Sequence, residues 1–221
     1  MSTPAAPLAP RLPGGLYALC DDSLRPELEI VEKARLLLLG GVRVLQLRLK
    51  RTTGRSAVTA ALAVRSLCGR HGALCIVNDR VDWALLSDAD GVHLGAEDLP
   101  PEDARALLGH ARLVGVTTRS LEDILAAQAA GADHVGLGPV FETSTKQLDA
   151  PALGLQRLRE ICARSPLPIV AIAGITTQNI EAVAAAGAHA AAVGADLFRT
   201  DDIPARVRAL AEAFARGSNK A

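Results

Sequence analysis

Gln46, Arg48 and Lys50 alternate with leucines in the stretch VRVLQLRLK. Alternate residues of a strand share a face, so these three side chains point one way. Two cations beside an amide suit an anion with several oxygens, such as a diphosphate. A strand fraying into solvent with ordinary surface charge gives the same pattern. Further on, Asn78 and Asp79 follow the apolar run ALCIV, and Asp98 follows GVHL. Two neighbouring carboxylates could share one Mg²⁺, with water and phosphate oxygens completing its shell. Taken singly, Asp79 also suits a helix cap, and Asp98 the turn before Pro100 and Pro101.

Other polar groups follow the same rule of falling just after an apolar run. Thr117 and Thr118 end LVGVTT, and the segment GPVFETSTKQLDAPALG carries Thr143, Ser144, Thr145 and Lys146. Hydroxyls and an ammonium group suit a phosphate held under a closing loop, and so long a connection is either functional or loosely ordered. A solvated Ser/Thr loop is the plainer alternative. Gly174 and Gly194 close two more apolar runs. Backbone N–H groups there could hold a phosphate, although glycine is also common in tight turns. His93 faces the aspartate pair, as a pocket residue or a core histidine. His71 and His110 fall by helix ends, and His134 and His189 open strands at the opposite, bottom face.

These residues need a scaffold that collects strand ends. Short, continuous apolar runs alternate with Ala/Leu-rich amphipathic segments along the whole chain, as expected for strands buried on both faces. The pattern predicts eight strands, each followed by a helix. Helices are expected over 27–39 after Pro26, 56–70 capped by Ser56, 120–130 capped by Ser120 with Asp123 three residues on, 176–186 capped by Thr176 or Thr177, and 203–215. Eight βα units in 221 residues favour a single α/β domain, a closed (β/α)₈ TIM barrel, whose chemistry sits at the C-terminal strand ends. A doubly wound open sheet is the rival, but its GxGxxG turn is absent. Residues 15–216 are read as the barrel, with 1–14 and 217–221 as flexible tails.

Composition bounds the function. Lys+Arg and Asp+Glu are both 24 and aromatics make up 2%, which argues against a nucleic-acid partner held by a basic field or by base stacking. No apolar run approaches a membrane span, and no secretory signal is seen. Cys20, Cys68, Cys75 and Cys162 form no CxxC pair and read as reduced thiols of a cytoplasmic protein.

The stretches VLQLRLK, IVNDRVDWAL, GVHLGAEDLP, LVGVTT, GADHVGLGPVFETSTK, VAIAGIT and GAHAAAVGADLF, in this order, resemble the thiamine-phosphate synthase family over nearly the whole ordered chain. The resemblance implies a (β/α)₈ barrel that uses Mg²⁺. Such an enzyme joins a hydroxymethylpyrimidine diphosphate to a thiazole phosphate, releasing diphosphate. It implies that Gln46, Arg48, Lys50, Asn78, Thr117 and Lys146 hold the pyrimidine diphosphate, with Arg48, Lys50, Lys146 and Thr117 serving catalysis. Asp79 and Asp98 would bind Mg²⁺. Thr143, Ser144, Thr145, Gly174, Gly194 and Ala195 would meet the thiazole phosphate. The family often has Gln where Ala96 stands, Glu where Leu49 stands, and Ser at Thr117 and Ala195. It commonly has His near Arg119 and Pro near Glu142. The expected partners are these small molecules, and a homo-oligomer is compatible with the sequence. The alternatives are a thiazole tautomerase of similar fold and a non-catalytic barrel that binds phosphorylated ligands.

Overall fold

A computed structural model describes residues 11–142 and 151–220. Eight parallel strands close into a barrel in sequence order. They are β1 (Gly15–Asp21), β2 (Val44–Arg48), β3 (Leu74–Asn78), β4 (Gly91–Leu94), β5 (Leu113–Thr118), β6 (His134–Leu137), β7 (Ile169–Ala171) and β8 (Ala190–Val193). Closure comes from β1 pairing with β8, Gly15 opposite Ala190 through Ala18 opposite Val193. The helices that follow the strands in turn are α1 (Ile30–Leu39), α2 (Gly54–Arg70), α3 (Val81–Leu86), α4 (Pro101–Leu108), α5 (Leu121–Ala129), α6 (Gly154–Cys162), α7 (Ile180–Ala185) and α8 (Ile203–Ser218). A single 3-10 turn, Ala195–Phe198, sits between β8 and α8.

Two apolar layers explain the unbroken hydrophobic runs. Residues such as Leu45, Leu47, Val77 and Val92 pack outward under the helices. Tyr17, Val44, Ile76, Leu113, Val170 and Ala190 point inward and fill the barrel. Away from the C-terminal ends, each strand is therefore buried on both faces, the condition under which sequence alternation disappears.

Helix boundaries depart from the expectation in four places. Helix α1 begins at Ile30, not directly after Pro26, because residues 22–28 form a loop tied to a buried lysine. Lys33 Nζ donates to the carbonyls of Asp21 (3.1 Å) and Leu24. Helix α2 begins at Gly54, after an extended Thr53 with no side-chain cap, so Ser56 is not its cap. Helix α7 begins at Ile180, and Thr176 donates its N–H to Asn179 Oδ1 at 2.8 Å instead of capping. Helix α8 runs to Ser218. It passes so close to α7 that a Cβ on Gly217 would lie 2.1 Å from the Glu181 carbonyl, which keeps the last turn packed. Ser120 does cap α5: its hydroxyl accepts from Asp123 N–H, and Asp123 returns the bond to the Ser120 N–H, the reciprocal arrangement that satisfies two orphan donors.

Candidate active site

The C-terminal strand ends surround a cavity of about 880 Å³. Gln46, Arg48, Lys50, Asn78, Asp79 and Thr117 line one side of it, and Gly174, Gly194 and Ala195 line the other. Thr143, Ser144, Thr145 and Lys146 lie outside the described residues.

Strand β2 delivers three of these groups at descending depth. Gln46 is buried and donates through Nε2 to the Tyr17 hydroxyl at 2.9 Å. That phenol is wholly enclosed, and burial pushes its pKa up, so it stays protonated. Arg48 pairs with the buried carboxylate of Asp21. Asp21 also accepts from the backbone N–H and the hydroxyl of Ser23, at 2.7 and 2.6 Å. Lys50, just beyond the strand, reaches Asp79 Oδ2 at 2.5 Å. The loop carrying Lys50 is shaped by Asp22, whose carboxylate accepts from the N–H groups of Lys50, Arg51 and Thr52 at 2.8–2.9 Å. Burial opposes charge on Asp22, but these donors outweigh it and hold the carboxyl below its usual range.

Asp79 and Asp98 come together. Asp79 adopts a left-handed backbone conformation, φ 64°, uncommon for a residue with a side chain. Helix α3 receives no side-chain cap, and the carboxylate turns to Lys50. Asp98 is not among the residues that line the cavity, and its Oδ2 accepts from Gly95 N–H at 2.7 Å. It closes its own turn, as a turn aspartate should, and also faces its neighbour. Burial raises the Asp98 pKa; the Gly95 N–H opposes that, and contact with the Asp79 carboxyl and its charge reinforces it. Among the described residues no cluster of three or more His, Cys, Asp or Glu forms a metal cage.

On the opposite side, Ala173 and Gly174 both have positive φ, 73° and 67°. A Cβ on Gly174 would lie 2.6 Å from the Glu142 carbonyl, so this turn needs glycine for approach as well as for conformation. Asn179 staples it, donating from Nδ2 to the Gly174 carbonyl at 2.9 Å. Gly194 leads into the 3-10 turn, where buried Asp196 accepts from Thr177 N–H at 3.3 Å and from Arg206 at 3.2 Å.

The floor holds two histidines. His93 lines the cavity, and its Nε2 lies 3.0 Å from Thr117 Oγ1. Burial, partly countered by the charge of Asp79, lowers its pKa to about 4. His134 opens β6 as expected but is fully buried inside the barrel, its ring centre 5.8 Å from that of His93. Sequence spacing also missed Asp21, Asp22 and Lys33, which carry the β1–α1 side of the site. The only signal for the two aspartates is the polar cluster directly after LYALC.

The family model described as thiamine monophosphate synthase matches residues 16–197. The chain belongs to the thiamine monophosphate synthase family. It is 60% identical over 212 residues to a thiamine-phosphate synthase of Myxococcus xanthus, spanning 96% of this chain and 97% of that one. It is 42% identical over 200 residues to that of Methanoculleus marisnigri, spanning 90% and 95%. A solved structure of a thiamine phosphate pyrophosphorylase from Pyrococcus furiosus superposes with a TM-score of 0.84 at 36% identity, covering 92% of this chain and 96% of that one. Family membership makes the chain an enzyme of thiamine biosynthesis, a transferase, and the barrel is the architecture that carries the activity. Among the described residues no helix is long and apolar enough to cross a membrane.

Proposed function

We propose that the cavity joins 4-amino-2-methyl-5-hydroxymethylpyrimidine diphosphate to a thiazole phosphate, giving thiamine phosphate and diphosphate. The observation that carries this reading is the rim at β2–β4, where Arg48 and Lys50 line the cavity, Lys50 pairs with Asp79, and Asp79 acts electrostatically on Asp98. Cations paired with hard oxygen ligands suit a metal-bound diphosphate leaving group.

Asp79 and Asp98 fit Mg²⁺. The charge of Asp79 opposes ionisation of Asp98, and a divalent cation between them would relieve that repulsion. Water and diphosphate oxygens would complete the shell. Bound there, Mg²⁺ supplies neutralisation of the charge that builds on departing diphosphate. Arg48, steadied by Asp21, and Lys50 add to that neutralisation, with Lys146 as a further cation. Gln46, Asn78 and Thr117 orient the pyrimidine so that its methylene carbon faces the second substrate. Backbone groups at Gly174, Gly194 and Ala195, with Thr143, Ser144 and Thr145, hold the thiazole phosphate. An aminopyrimidine stabilises positive charge on that methylene carbon. The C–O bond to diphosphate breaks, the electron pair leaves with diphosphate, and the thiazole nitrogen supplies the pair for the new C–N bond. No nucleophilic side chain is needed.

A tautomerase would require a base near neutral pH within reach of the thiazole. Arg119 lines the cavity where a histidine would serve, and a guanidinium cannot accept a proton at neutral pH. The deciding experiment incubates the protein with both substrates and Mg²⁺ and measures thiamine phosphate and released diphosphate. One of each per turnover, abolished by chelator, is expected. Thiazole isomerisation without thiamine phosphate would refute the proposal.

A further inference from the structure

His93, Gly115 and His134 form one row across three strands. His93 pairs in register with Gly115, and Gly115 with His134. All three therefore project into the barrel at the same level. Gly115 is what lets two imidazoles share that level. A Cβ on it would lie 2.2 Å from His134 Nε2 and 2.7 Å from His93 Nδ1. Both nitrogens thus border the space where a side chain on Gly115 would lie. On β6, two residues after His134, Gly136 likewise clears room for the His93 ring, whose Cε1 would be 3.0 Å from a Cβ there.

Both converging atoms are buried and, with His134 Nδ1, have no hydrogen-bond partner as they stand. An unsatisfied buried polar atom is costly, and an imidazole offers one donor and one acceptor when neutral. Burial keeps His134 neutral, its pKa lowered to about 3. Across Gly115, each orphan faces the same space as the other.

We propose that His134 is a positioning residue: its Nε2–H donates to His93 Nδ1, which fixes His93 as the Nε2–H tautomer and makes Thr117 present its hydroxyl proton to the cavity. The direction of the chain follows from what is left over. If the bond ran the other way, His134 would carry its proton on Nδ1 and leave a buried N–H with no acceptor. In the proposed direction it leaves only a bare lone pair, the more tolerable of the two. His93 Nε2–H then donates to Thr117 Oγ1, already 3.0 Å away. The threonine oxygen is occupied as an acceptor, so its O–H is free for a ligand acceptor such as a pyrimidine ring nitrogen or a diphosphate oxygen. The last step rests on the proposed role of Thr117 in holding the pyrimidine diphosphate.

The two histidines must therefore carry the same tautomer, a correlation no purely space-filling role predicts. Two-bond ¹H–¹⁵N correlation spectra of ¹⁵N-histidine protein read each ring directly, without substrate. Both His93 and His134 are expected as Nε2–H. In His134→Phe, which keeps the volume and removes the donor, His93 should become a tautomer mixture. The KM for pyrimidine diphosphate should rise about two- to ten-fold, the range one hydrogen bond spans, with kcat changed less. His134→Gln restores a donor and should restore both readouts; it also serves if the Phe variant folds poorly. An Nδ1–H proton on His93 in the unmodified protein would overturn the proposal. So would a His93 signal unmoved in His134→Phe. If the tautomers match but Thr117→Val leaves the KM unchanged, the pairing stands and the role assigned to Thr117 fails.

Discussion

We predict that replacing Lys50 by methionine tightens metal binding to the substrate-free enzyme. Lys50 Nζ lies 2.5 Å from Asp79 Oδ2, on the carboxylate proposed to hold the divalent cation. In the absence of diphosphate the ammonium group is a competitor, and its charge also repels an approaching cation. The size of the effect follows from exposure. The Lys50 side chain is 46% exposed and that of Asp79 20%, so solvent screens the pair and it is worth about 0.2–1 kcal/mol. Removing it should lower the metal Kd by roughly 1.5- to 5-fold. With diphosphate bound, the sign reverses. Lys50 then has an anion to neutralise, and its loss should weaken the ternary complex of metal, diphosphate and enzyme. Mn²⁺ titration followed by the electron paramagnetic resonance of the free ion, with and without inorganic diphosphate, reads both limbs. Weaker Mn²⁺ binding by Lys50→Met in the absence of diphosphate would refute the competition. No Mn²⁺ binding by any variant, even with diphosphate, would remove the metal site itself.

Asp98→Asn should abolish that metal binding and yet raise the melting temperature of the metal-free protein near neutral pH. The folded-state pKa of Asp98 is raised, so ionising it costs stability as pH rises through that value, and a neutral amide avoids the cost while keeping the Gly95 bond. The advantage should vanish in acid, where Asp98 is protonated in both states; an advantage that grew as pH fell would contradict the assignment. The two glycines proposed to hold the thiazole phosphate should behave differently. Gly174→Ala meets the Glu142 carbonyl at 2.6 Å with φ 67°, whereas a Cβ on Gly194 would find only ordinary contacts of 3.5 Å or more. Thermal melts should show Gly174→Ala destabilised and Gly194→Ala close to the parent protein; equal melting temperatures would show that the turn adapts.

The architecture was legible because a barrel strand is buried on both faces and writes itself as an apolar run. All eight runs became strands, and among the polar residues just beyond them Lys50, Asp79 and Arg119 line one cavity. Gln46, Arg48 and Lys50 share a face because a strand has a period of two, and the cavity wall confirms that face as the inner one. Helix starts were less legible. Ser56 and Thr176 are good cap residues by type, but a cap needs a particular backbone geometry. At α1 and α7 the chain spends residues on turns held by Lys33 and Asn179 instead.

The groups that reasoning from spacing missed share a physical cause: each acts across strands. Asp21 matters because β1 pairs with β2, placing it opposite Arg48. Nothing in LYALCDDSL shows which of its two aspartates points inward; Asp21 and Asp22 divide the work, one holding a cation and the other shaping a loop. His134 is a sharper case. Its strand, its position in that strand and its distance from the rim all suggest a residue far from chemistry. Its place beside His93 is set by a glycine on the strand between them, and an absent side chain leaves no mark in a pattern of residue types. Register converts that absence into a contact. The functional floor of the barrel is thus specified partly by what Gly115 and Gly136 lack. A bulky residue at Gly115 should therefore damage the site by displacing the two imidazoles, although Gly115 itself does not line the cavity.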